Sequence, residues 1–172
     1  MRKVVPFKKR EDDSLEYFLK RAHVLKNKLE EDEKRIVKIL SAQKYFEATL
    51  MKELINQKMI SRELFLCAIY ISHVMNEYIA KSPEHWYIHE YFIVDKECED
   101  ENDIKKGADF CFSLCSFFAE RAERRAMKRK DYVFFGQGMY WNYFQKTGKE
   151  FASCMSDNFE EMSSLSASCF KC

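Results

Sequence analysis

The sequence predicts an all-α protein, an antiparallel bundle of about five helices, and three observations carry that expectation. Glycine and proline are scarce, 4 and 2 among 172 residues, where ordinary usage would be about 12%. The frequent turns of a sheet-rich fold therefore have few residues to make them. Apolar residues recur at intervals of three and four along most of the chain, the rhythm of helices with one buried face. The composition, 47% hydrophobic and 33% charged, is that of a globular chain, and a chain of this length buries roughly 70% of its unfolded surface without help from disulfides or metals.

Residues 1–11 form a basic N-terminus expected to be flexible, 12–157 the helical domain, and 158–172 a Ser- and Cys-containing flexible tail. From Leu15 a heptad rhythm of Leu15, Phe18, Ala22, Leu25, Leu29, Ile36, Ile39, Phe46 and Leu50 gives one long helix face, with polar breaks at Asp32 and Gln43. Serine is tolerated within a helix and at its N-cap, so one helix from about 14 to 57 and two helices with Ser41 capping the second both fit; a kink or break is favoured.

The next helix has the clearest limits. Ser61 stands at the N-cap, Glu63 in the first turn, and the apolar pattern ends before Pro83. Leu64, Cys67, Ala68, Ile71, Val74, Met75 and Tyr78 form one stripe, and Leu66, Ile69 and Tyr70 a second, so this helix belongs in the middle of the bundle. The aromatic segment EHWYIHEYFIVDK follows, helical by context although YFIV also suits a strand. Five acidic residues between Glu97 and Asp103 then make a solvent-facing loop. Asp103 caps a helix expected to run from about Ile104 to Lys130. From Tyr132 the aromatics Phe135, Tyr143 and Phe144, with Met139, suit a last helix, with Gly136 and Gly138 marking a close contact or a break.

Charge and motifs exclude more functions than they select. A net charge of +1 provides no global field. The longest apolar runs, Leu64–Ile71 and Phe110–Ala119, fall short of the roughly 20 residues of a membrane span, so no membrane partner is expected. The N-terminus lacks the apolar centre of a secretory signal, which makes the cytoplasm the expected location. Seven cysteines, an odd number, then read as free thiols, with Cys67, Cys111 and Cys115 filling the core. In the C-terminal CFKC, Lys171 disfavours prenylation and Cys169 and Cys172 lack the helix N-terminus of a reactive dithiol. HExxH, Glu-x-x-His, Walker, GxGxxG and GxSxG patterns are all missing.

Four constellations remain. If the chain folds back at residue 100, His85 meets Cys115 and His89 meets Cys111, a donor set that suits tetrahedral zinc. Each pair is spaced i,i+4, which core packing also produces. Arg121, Arg124, Arg125, Lys128 and Arg129, followed by Tyr132, Phe134 and Phe135, offer cations for phosphates and rings for unpaired bases, as in binders of RNA or single-stranded nucleic acid. The same cations suit a solvated helix end, or pairing with the acidic loop 97–103 of a second copy in a homodimer. His73 and Glu77, with Tyr70 beside them, form the one acid/base group that a polar enzyme site would use, read as a buried trio.

The segment AHVLKN around His23 resembles, over five or six residues, the Ala-His-x-Leu-Lys core of histidine phosphotransfer domains. That resemblance implies a phosphoryl-accepting His23 assisted by Lys26. Asn27 stands where the family has Gly, and KLEED replaces its small residues, so His23 reads as a solvated helix histidine. The sequence thus points to a protein acting by protein interaction or assembly, with no cofactor expected, ahead of zinc binding, nucleic-acid binding and catalysis. A chain with few irregular loops has few of the places where active sites are usually built.

Overall fold

The computed structural model describes residues 15–31, 42–81, 88, 100–119 and 127–170. Among these residues the protein is entirely helical, with seven helices where five are expected from sequence: α1 Leu15–Glu31, α2 Ala42–Asn56, α3 Arg62–Ala80, α4 Glu101–Cys115, α5 Arg129–Thr147, α6 Glu150–Asp157 and α7 Phe159–Cys169. None of these helices is long and apolar enough to cross a membrane. α4 lies along α5, α5 along α6, and α2 against both α1 and α3, while α3 meets α6 and α7 touches α2, α4 and α5.

Local chemistry sets most of the limits. The Ser61 hydroxyl accepts the Leu64 N–H at 3.1 Å, capping α3 as expected. α2 begins at Ala42, and the expected kink or break at about residue 40 falls outside the described residues. The aromatic segment 84–96 also lies outside them, apart from Ile88, which is buried in the core.

Four expectations need correction. Asp100, not Asp103, caps α4, its side chain accepting the Asn102 N–H, and Glu101 and Asp103 sit in the first helical turn where the positive end of the helix dipole favours them. The long helix expected to reach Lys130 ends at Cys115: the Phe118 N–H turns back to the Ser113 carbonyl at 2.9 Å, and the Ser116 hydroxyl donates to the Phe112 carbonyl at 2.7 Å. α5 then starts afresh, with Asp131 accepting the Lys128 N–H at 2.8 Å. It runs through both Gly136 and Gly138 and stops at Gly148, whose left-handed φ of 67° and N–H bond to the Phe144 carbonyl make a C-cap. The tail expected to be flexible is helical as α7, because Phe159, Met162 and Leu165 bury one stripe and the small Ser163 and Ser166 let that stripe approach its neighbours closely.

The core gathers Phe65, Ile71, Phe110, Phe112, Leu114, Tyr140, Met155 and Phe159. Two ion pairs fasten its margins. Arg21 of α1 grips the buried Glu47 of α2 in a two-pronged pair, with Nη2 2.9 Å from Oε2, and Arg62 of α3 does the same to Glu150 of α6 at 2.8 Å.

Candidate interaction surface and the polar cluster opposite it

α5 carries two different surfaces. Residues Tyr132, Gly136, Met139, Tyr140 and Tyr143 face inward and are buried, and Phe134, Gly138, Trp141 and Gln145 recur at the helical spacing on the outward side.

The inward face reaches a buried carboxylate. Asp109, on α4, is 4% exposed. Its Oδ1 accepts hydrogen bonds from the Tyr70 hydroxyl of α3 at 2.6 Å and the Tyr140 hydroxyl of α5 at 2.7 Å, and its Oδ2 accepts one from Lys105 Nζ at 2.9 Å. Burial pushes the Asp109 carboxyl up, outweighing the opposing pull of the Lys105 charge and the three donors. Burial acts to lower the Lys105 ammonium, but the Asp109 charge and hydrogen bond outweigh it and the net shift is upward. Burial, with Asp109 beside them, drives both tyrosine hydroxyls well above their ordinary range. Tyr70 also stacks on Phe151 at 4.1 Å. The cluster joins three helices through one acceptor, and both carboxylate oxygens are engaged within the fold.

The outward face is apolar and open. Phe134 is 72% exposed and Trp141 47% exposed, and with Phe135, Gln137, Gly138 and Asn142 they line a groove of about 430 Å³ that ends against Ser156 of α6. Each exposed ring is propped by a neighbour, Phe134 edge-on to Phe135 at 5.7 Å and Trp141 against Phe144 at 5.5 Å. The Ser156 hydroxyl donates to the Gln137 carbonyl at 3.0 Å, fixing α6 to the groove wall. Among the described residues the other exposed large apolar side chains, Leu15, Val24, Tyr45, Ile60 and Ile79, are distributed over α1, α2, α3 and the loop before α3.

The sequence candidates are placed as follows. His73 and Glu77 are not the buried pair expected: their side chains are 54% and 57% exposed with 3.6 Å between them, while Tyr70 is buried and bonded to Asp109. Cys111 and Cys115 are buried in the core; burial raises both thiols, Cys115 to about 12, and the Cys115 thiol donates to the Arg129 carbonyl at 3.8 Å. His85 and His89, the other half of the zinc set, lie outside the described residues, as do Arg121, Arg124 and Arg125. Among the described residues no three His, Cys, Asp or Glu side chains converge as a metal site would require. Arg129 bonds to the Ser163 and Ser164 hydroxyls at 2.9 and 3.0 Å, and Tyr132 is 2% exposed, so its ring is not presented for stacking. Lys128 is exposed at the start of α5, and His23 is exposed on α1.

The chain matches no protein-family model, no curated protein and no solved structure.

Asp109 is a residue that the sequence did not single out, and Gly138 stood out there only as a close contact or a break. Asp109 was legible only as an acidic residue at an otherwise apolar helix face, because its tyrosine partners are 39 and 31 positions away. Gly138 had a signal: it lies midway along an aromatic stripe, four residues after Phe134 and three before Trp141.

Proposed function

We propose that this chain is a protein-interaction or assembly module whose docking surface is the outward face of α5. The observation that carries the reading is the exposure of Phe134 and Trp141 on one face of one helix, with an open groove between them. Aromatic rings supply large contact area at a small cost in side-chain entropy, which suits them to the centres of interfaces. Scattered apolar residues need no explanation, whereas a contiguous patch beside a groove does. The polar cluster supports the same reading, since Asp109 spends its acceptors on holding α3, α4 and α5 together and leaves the rigid helix to present the patch.

Photo-crosslinking tests this. The chain is expressed in cells with a photoreactive phenylalanine analogue in place of Phe134, and separately in place of the exposed Val24 on α1. A discrete adduct from position 134 and none from position 24 is the expected result. No adduct from 134, or the same ladder of adducts from both positions, would contradict the reading.

A further inference from the structure

The two C-terminal helices carry one apolar pattern with a break in it. Ala152, Met155, Phe159, Met162, Ser166 and Cys169 recur at intervals of three and four without interruption, the spacing of a single helix face, and all but Cys169 are buried. The helix is nonetheless interrupted at one residue. α6 ends at Asp157, α7 begins at Phe159, and Asn158 stands between them with φ −112° and ψ 17°. The Asn158 N–H still reaches the Cys154 carbonyl at 3.0 Å, and the Met162 N–H reaches the Asn158 carbonyl at 2.9 Å. Between those two, the helical bonds from Phe159 to Met155, from Glu160 to Ser156 and from Glu161 to Asp157 are not made.

The bend is held by side chains. The Phe159 ring fills the space that Gly136 leaves, where a Cβ would overlap it, and meets Phe112 edge-on at 5.4 Å. Asparagine is a common N-cap, but Asn158 makes no side-chain cap bond to α7; its Nδ2 donates back to the Cys154 carbonyl at 2.9 Å and braces the bend from the α6 side. Farther along α7, the Ser166 hydroxyl is buried without a hydrogen-bond partner, a cost that water relieves whenever the helix leaves its seat.

We infer that Asn158 is a hinge and that α7 exchanges between two copies of this chain: with the hinge straight, Glu150–Cys169 is one helix, and the α7 of each copy occupies the seat of the other. This inference does not depend on the outward face of α5. The seat is already shaped to its occupant. Phe159 against Gly136, the buried Met162 and Leu165, and the bonds from Arg129 to the Ser163 and Ser164 hydroxyls are all remade between copies rather than lost. A single-residue connection favours exchange, because it cannot relax without moving the helix it joins.

The two forms therefore differ mainly at the hinge. Straightening adds the three missing backbone bonds in each copy and gives up the one from the Asn158 side chain, and it carries α7 about 16 Å beyond the end of α6. Against this stands the entropy lost when two copies associate. Concentration and the residue at position 158 set the balance.

Asn158→Ala and Asn158→Gly in the full chain test the exchange, since alanine favours the straight helix, glycine disfavours it, and neither touches the seat. Each protein is unfolded in denaturant, refolded at a series of concentrations and sized by sedimentation velocity, with helical content checked throughout. Wild type is expected to give a dimer fraction that grows with refolding concentration, and the alanine variant to dimerise roughly thirtyfold more strongly than the glycine variant, because each dimer straightens two hinges. To identify what is exchanged, light and heavy-isotope copies with a photoreactive methionine analogue at position 162 are refolded together. Crosslinks from that position should join light to heavy copies in the dimer and stay within one copy in the monomer. The isotope test applies equally to the wild-type hinge, so it decides the matter if either variant folds poorly. No dimer at any refolding concentration, equal dimerisation of the two variants, or a dimer whose position-162 crosslinks stay within one copy would overturn the exchange.

Discussion

Gly136 and Gly138 stand two residues apart on α5 and face opposite ways. The inward one is required by the Phe159 ring of α7 against it, and its neighbours Tyr140 and Tyr143 are buried. The outward one is surrounded by open space between two exposed aromatic rings. One helix thus packs by ordinary core rules on one side and breaks surface rules on the other. The contrast separates what holds this protein together from what it presents, and substitutions on the two sides should have opposite signatures.

The largest effect is expected at the polar cluster. Asp109→Ala would leave the Lys105 ammonium and two tyrosine hydroxyls without their shared acceptor, at a cost of about 3–5 kcal/mol, measured by denaturant unfolding. Removing both tyrosine hydroxyls together with the carboxylate should cost less than the single loss, because no buried donor but Lys105 is then stranded. Next is Gly136→Ala, where overpacking against Phe159 should cost about 1–3 kcal/mol. An unchanged melting temperature would mean that α5 and α7 are less tightly joined than described.

pH provides a separate test of the inward side. Burial raises the folded-state Asp109 carboxyl above its ordinary value of 3.8. Between those values the native state keeps a proton that the unfolded chain has released, so this group favours the fold most at pH below 3.8 and loses that contribution as pH rises through its folded value. The stability advantage of wild type over Asp109→Asn should therefore shrink as pH rises from acid toward neutral. A difference that grows with pH would show a carboxyl held below its ordinary value by Lys105. In the alkaline range the raised Lys105 acts in the same sense, its contribution lasting until pH passes a folded value above 10.5.

Smaller effects belong to the outward side. Gly138→Ala should stabilise the monomer by about 0.5–1 kcal/mol through helix propensity. Phe134→Ser should change folding stability by no more than about 0.5 kcal/mol while abolishing the crosslink from a photoreactive group placed at position 141 instead, a separation of folding from binding that the buried side cannot give. Loss of monomer stability with Phe134→Ser would move that ring into the core.

Local features of the fold were legible in the sequence and contacts between distant residues were not. Ser61 was identifiable as a cap because its hydroxyl bonds three residues ahead, and the α3 stripe because helical period is a local property. The stop after Cys115 was not, since it depends on backbone bonds formed by Ser113 and Phe118. Three glycines in thirteen residues looked alike, and only backbone conformation distinguishes the terminating Gly148 from the two that α5 runs through. Serine density made 158–172 look unstructured, when small buried serines are what lets Phe159, Met162 and Leu165 pack closely. Of the site, Tyr70 was singled out but with the wrong partners: a spacing of three or seven along one helix suggested His73 and Glu77, and the carboxylate that binds it comes from a different helix.

The most direct measurement compares photo-crosslinking from position 134 in an otherwise unchanged chain and in one that also carries Trp141→Ser. If the outward face of α5 is the docking surface, the first should give a discrete adduct and the second should lose it while keeping its helical content. An adduct undiminished by Trp141→Ser, or no adduct from either chain, would contradict the docking surface.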